Sequence, residues 1–120
     1  MNGAELLDTT FELARRARVL LEEDGLKIRQ FVTLRALAES PLRVGELARK
    51  VEIRTPSAVA LVDSLVDREL ARRRPDLHDG RVSVVELTPA GRRILRRAEQ
   101  RLVEAFDEIA AGVELVPGRS

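Results

Sequence analysis

Two Thr-Pro pairs, Thr55-Pro56 and Thr88-Pro89, punctuate this chain more firmly than any other feature. Threonine is a common helix N-cap, and proline fits the first helical turn, where a backbone N–H is not needed. Each pair therefore predicts a helix start. Between the two helices lies a hairpin pattern, with Ala71–Arg74 and Arg81–Leu87 as strands, the second rich in β-branched residues. The intervening Pro75-Asp76-Leu77-His78-Asp79-Gly80 is dense in turn formers. On the second strand Ser83, Val85 and Leu87 share one face and Val82 and Val84 the other, an imperfect alternation.

Upstream of the first pair, Val44–Val51 reads as a short helix presenting Leu47, Ala48 and Val51. The tight Glu52-Ile53-Arg54 connection joins it to the helix capped by Thr55. There Ala58, Leu61, Val62 and Leu65 form the inward stripe and Ser57, Ala60, Asp63 and Ser64 lie outside. Two short helices so joined make a helix-turn-helix, and with the hairpin a winged helix. Ile28–Glu39 supplies a further helix with Phe31, Leu34, Leu37 and Ala38 inward, stopped by Ser40-Pro41. Leu42-Arg43 leaves room for a very short strand.

Long helices are predicted at both ends. From Gly3 to Glu23, Leu6, Thr10, Leu13, Ala17 and Leu20 recur at helical spacing, with Leu7, Ala14 and Leu21 beside them. This stripe is wider than one face of a small domain needs and predicts packing on another chain. Asp24-Gly25 ends the helix, with Gly free to turn left-handed. The last helix runs from Thr88-Pro89 to about Ala111, with Leu95, Ala98, Leu102, Ala105, Phe106 and Ile109 as its seam, before Gly112 and Pro117-Gly118. The expected fold is mainly α with a minor β part: a winged helix-turn-helix with long N- and C-terminal dimerisation helices and a two-stranded β-wing. Residues 1–120 read as one domain, with 1–27 and 92–112 as dimerisation helices and 28–91 as the winged lobe.

Composition narrows the function. An apolar share of 44% supports a core and 34% charged residues imply a heavily ionised surface. Three Phe without Trp or Tyr remove the stacking platform that single strands require, which favours duplex over single-stranded nucleic acid. The absence of Cys excludes disulfides and thiolate metal sites. With one His, no Gly-rich phosphate loop and no motif-placed carboxylate pair, an enzyme is not the expectation, and no motif implies a cofactor or metal. His78 reads as a surface residue. No apolar run approaches the ~20 residues of a membrane span, and the N-terminus lacks a signal-peptide layout, so the expected location is the cytoplasm. Charge is unevenly spread: residues 68–97 hold nine arginines against Glu69, Asp76, Asp79 and Glu86, while both ends are acidic. Such a basic centre suits a polyanion, although a solvated Arg-rich surface explains it equally.

From Leu26 to Ile109 the chain resembles the multiple antibiotic resistance regulator (MarR) family. The resemblance rests on Gln30–Leu37, Val44–Ala48, Leu61–Arg68 and the run Arg72–Gly91. Its most specific part is Asp79-Gly80-Arg81 followed by Leu87-Thr88-Pro89-Ala90-Gly91, similar to the family's Asp-x-Arg wing signature and Leu-Thr-x-x-Gly helix start. It implies a dimeric DNA-binding transcriptional regulator, often a repressor, frequently released by a small ligand. It also implies that Arg81 enters the minor groove with Asp79 orienting it, chemistry suited to the negative potential of a narrow groove. The expected DNA contacts are Arg54, Thr55, Ser57 and Ser64 on the recognition helix, Arg72, Arg73 and Arg74 on the wing, and Asp79 and Arg81 at its tip. The expected dimer interface is Leu6, Leu13, Ala17 and Leu20 with Leu102, Phe106 and Ile109.

Departures from the family pattern are visible. Ala58-Val59-Ala60 stands where relatives carry polar readers, and Glu52 and Glu69 stand where glycine is common, which makes two helix ends less comfortable. The chain stops soon after the long helix, where the family supplies a further helix to the dimer interface. Arg92, Arg93, Arg96 and Arg97 suit either phosphates or a solvated face. A winged-helix interaction or dimerisation module with weak or lost base reading is the alternative function. A small-molecule effector held near Leu13, Ala17, Phe31, Leu34 and Leu102 is left open, because each of these side chains also fits a packed core.

Overall fold

In the computed structural model, residues 1–112 are described. They form α1 (Gly3–Glu22), α2 (Ile28–Glu39), α3 (Val44–Lys50), α4 (Thr55–Asp67), β1 (Ala71–Pro75), β2 (Ser83–Leu87) and α5 (Pro89–Ala110). The predicted Pro117-Gly118 turn lies outside the described residues. No helix among them is long and apolar enough to cross a membrane. Two compact units divide the described residues, one of residues 29–96 and one that pairs residues 1–28 with residues 97–112. The divide falls inside α5, because Ile94 and Leu95 of its first turns are buried members of the former.

The winged unit has a core of its own. Leu34, Leu37, Leu47, Ala58, Val62, Leu65 and Val85 are almost fully shielded. The strands pair antiparallel from Ala71 opposite Leu87 to Pro75 opposite Ser83. The anticipated strand at Leu42 is a single bridge to Val85, closed by reciprocal backbone bonds of 3.0 and 2.8 Å. β2 begins two residues later than the β-branched run suggested. Val82 still donates to the Asp79 carbonyl across the loop, which keeps that part of the chain in the turn.

Three helix ends share one device. At α1, Gly25 donates to Glu22 and Leu26 donates back five residues to Leu21, with Gly25 at φ 66°. The same pair of bonds recurs at α3 (Glu52 to Arg49, Ile53 to Ala48) and at α4 (Glu69 to Val66, Leu70 to Leu65). This is the Schellman motif, which requires a left-handed residue. At the second and third ends that residue is Glu52 (φ 57°) and Glu69 (φ 59°), the two positions where glycine was missed in the sequence.

The Thr-Pro pairs behave differently from each other. Thr88 caps α5 as predicted: its hydroxyl accepts from the Gly91 N–H at 3.0 Å and donates to the Glu69 carbonyl at 2.6 Å. Gly91 must lack a side chain, since a Cβ there would come within 2.0 Å of the Leu70 carbonyl oxygen. The Leu-Thr-x-x-Gly run thus fixes the wing's exit against the end of α4. Thr55, by contrast, does not cap. Arg54 is the extended N-cap residue, Thr55 is the first helical residue and Pro56 follows in the first turn.

Residues 1–28 with 97–112 form a thinner unit. Leu21, Leu26, Ala98 and Leu102 are buried there, and Leu21 is the only buried residue of α1. Asp24 draws two arginines of α5 together, with Arg101 at 2.6 Å and Arg97 at 3.3 Å. Arg97 is thereby set apart from Arg92, Arg93 and Arg96, which are exposed and make no ion pair among the described residues.

Candidate nucleic-acid interface

The HTH and the wing are joined by side chains as well as by the chain. Arg73 of β1 reaches Asp63 on α4 at 2.6 Å, and Arg43, at the start of α3, reaches Asp76 in the wing loop at 3.4 Å. Solvated ion pairs of this kind contribute little stability individually, so their main consequence is to tie the hairpin to α4 and the wing loop to the start of α3. Arg72 and Arg74 converge on Glu86, at 2.7 and 2.5 Å, because Arg72 sits directly opposite Glu86 in the strand register. These contacts, Arg74 first, hold the Glu86 carboxyl below its usual range.

The loop tip is built around two aspartates. Asp76 accepts the His78 N–H at 2.8 Å, and this bond, aided by Arg43, keeps its carboxyl ionised to lower pH than usual. Asp79 takes the Arg81 guanidinium at 3.1 Å and the Arg81 backbone N–H at the same distance. The side-chain bond, then the backbone bond, depresses the Asp79 carboxyl. Held this way, the Arg81 side chain is still 91% exposed. The result is an oriented, solvent-facing cation at the end of a paired hairpin, a group suited to a narrow minor groove.

The predicted contacts on α4 sort into two groups. Arg54 and Thr55 are exposed at the helix entrance, and Ser57 is half-buried in the first turn. Ser64 is not on the outer face. It is half-buried, donates to the Leu61 carbonyl at 2.7 Å and accepts from Gln30 of α2 at 3.3 Å, so its hydroxyl serves the interior. Among the wing arginines, Arg72 and Arg73 keep exposed side chains while engaged, and Arg74 is mostly covered.

The predicted interface residues also divide. Leu6 is exposed, and Leu13, Ala17, Leu20, Phe106 and Ile109 are half-exposed. Leu102 is buried within its own unit and presents little to a partner. The sequence reading missed Phe11, Val19 and Val103, which are large, apolar and 69, 47 and 57% exposed. Phe11 lies four residues beyond Leu7, itself 58% exposed, so helical spacing could have found it.

Comparison with known proteins bears on this geometry. The MarR family model matches residues 24–82, which span α2 to the wing loop. An HTH-type transcriptional regulator of Bacillus subtilis, YxaD, is 32% identical over 116 residues, covering 90% of this chain and 80% of the relative. The chain belongs to the MarR family of winged-helix, DNA-binding transcriptional regulators. Its structure resembles the transcriptional regulator BldR from Sulfolobus solfataricus, at 29% identity, TM-score 0.73 and coverage of 97% of this chain and 90% of that one. The same fold occurs in an S. aureus MepR mutant bound to an oligodeoxyribonucleotide, at TM-score 0.78 and 19% identity, over 95% of this chain and 86% of the other. Within a MarR fold, α4 is the second helix of the HTH and β1–β2 the wing.

Proposed function

We propose that this MarR regulator acts as a homodimer on double-stranded DNA, with α4 in the major groove and Arg81 in the adjacent minor groove. In that role it represses transcription from its cytoplasmic target promoters, and a small ligand relieves the repression. The observation that carries this reading is the Arg81 guanidinium, oriented by Asp79 and open to solvent on a hairpin tied to α4 through Arg73 and Asp63. An α-helix fits the major groove, and a groove-narrowing AT tract attracts an inserted arginine. Arg54 and Arg72 flank the two elements with further exposed charge for phosphates. That a MepR mutant, of the same fold, was solved bound to an oligodeoxyribonucleotide supports DNA as the partner.

Dimerisation rests on α1. Leu6, Leu7 and Phe11 leave an apolar surface largely uncovered by the described residues, as an isologous interface requires. Arg81→Ala should weaken binding to AT-containing duplex by roughly tenfold to a hundredfold. Unchanged affinity in a fluorescence titration would remove the wing from the interface. Binding should also fall steeply as salt rises, whereas a module that docks only proteins would hold duplex poorly at every salt concentration.

A further inference from the structure

The outer face of α4 carries an unusual set of groups for a helix that reads DNA. Pro56, Val59, Ala60 and Asp63 follow one another at helical spacing and are all exposed, opposite the buried Ala58, Val62 and Leu65. From Thr55 to Asp67 there is no Arg, Lys, Asn or Gln. Those four residue types make the paired hydrogen bonds that distinguish guanine and adenine in the major groove. The polar groups that remain are largely committed. The Asp63 carboxylate holds Arg73 at 2.6 Å, and the Ser64 hydroxyl is spent on Leu61 and Gln30. Thr55 and Ser57 stand only at the first turn.

What this face offers a groove is therefore chiefly aliphatic carbon, with Val59 39% exposed at its centre. The major-groove edge of DNA has one apolar group to meet it, the 5-methyl of thymine. We propose that α4 recognises its operator through thymine 5-methyl groups, packed against Val59 and Ala60 with Pro56 beside them. This rests on the DNA-binding reading above and assigns the specificity of that site. Methyl contact discriminates without hydrogen bonds. Desolvating one such group contributes about fourfold in affinity, the equivalent of one buried methylene. A dimer on two half-sites doubles the number of contacts, so the combined effect should exceed about tenfold.

The full-length chain can be taken through selection on two random duplex pools, one containing thymidine and one containing deoxyuridine. Deoxyuridine pairs identically and lacks only the methyl. The expected result is a thymine-containing motif from the first pool whose affinity drops more than about tenfold when its thymidines become deoxyuridine. Val59→Ser should shrink that ratio. Arg81→Ala should weaken both duplexes and leave the ratio intact, since the methyl lies in the other groove. Equal affinity for the two forms, or retention of duplex without any thymine preference, would overturn methyl reading while leaving DNA binding in place. Retention of neither pool at low salt would overturn the DNA-binding reading itself.

Discussion

The two units of this chain spend their apolar residues differently. The winged unit turns Leu34, Leu47, Val62 and Leu65 wholly inward and surrounds them with a charged exterior. In the other unit α1 runs for 20 residues and buries one of them, while Leu6, Leu7, Phe11 and Val19 face outward. A helix gains most of its stability in water from packing an amphipathic face, and α1 has apolar residues that the described part of the chain leaves largely uncovered. The difference separates a part folded by its own core from a part that leaves apolar surface open, which the proposed dimer would cover.

The largest test sets one unit against the other. Leu65→Ala, in a fully shielded position of the winged unit, should lower the unfolding free energy by about 2–5 kcal/mol. Phe11→Glu removes no buried contact within the chain and should leave the thermal unfolding of the monomer almost unchanged. It should nevertheless shift sedimentation from dimer to monomer. A dimer that survives this change would show that α1 is not the interface and would erase the proposed contrast.

Helix ends provide a second, smaller comparison. All three Schellman ends use the same backbone bonds, yet one has Gly25 at the left-handed position and two have glutamate. A left-handed residue with a Cβ costs about 1 kcal/mol or more relative to glycine. Glu52→Gly and Glu69→Gly should each raise stability by about 1 kcal/mol, read as an upward shift in denaturant midpoint. No gain at either site would mean that the glutamate side chain compensates for its backbone.

How much of this was legible beforehand depends on the range of the physics involved. Local signals carried far: the Thr-Pro pairs, the Asp24-Gly25 stop and the turn-rich 75–80 run located the elements to within a residue or two, and the Asp79–Arg81 pair was found intact. What failed depended on contacts between distant segments. Ser64 is outward by periodicity, but Gln30 comes from α2 to cover it. Leu102 looks like seam, yet helical spacing does not tell a contact within the chain from one between chains. The charge run Arg72-Arg73-Arg74 looked uniformly available until strand register placed Glu86 opposite it and Asp63 beside it. Thr55 and Thr88 share a dipeptide, and only the chain end left by Glu69 gives Thr88 a carbonyl to hold.

The smallest effect sharpens the comparison from the winged side alone. Asp76, Asp79 and Glu86 all lie in that unit, and all three carboxyls are held below their usual range by N–H donors: the His78 backbone for Asp76, the Arg81 side chain for Asp79, and Arg74 then Arg72 for Glu86. Because the folded values are depressed, the ordering these groups provide is fully present above the ordinary carboxylate range near pH 4. It is lost only as pH falls through the lower folded values. The wing should accordingly keep its geometry from neutral pH down to about pH 5, with the Arg81 backbone N–H and Nε–H signals, both donated to Asp79, constant in NMR spectra across that interval. Below it they should shift with midpoints under the usual aspartate value of about 3.9. Midpoints at or above that value would mean that Asp79 does not grip Arg81 in solution, and the oriented guanidinium on which the proposed minor-groove entry depends would be absent.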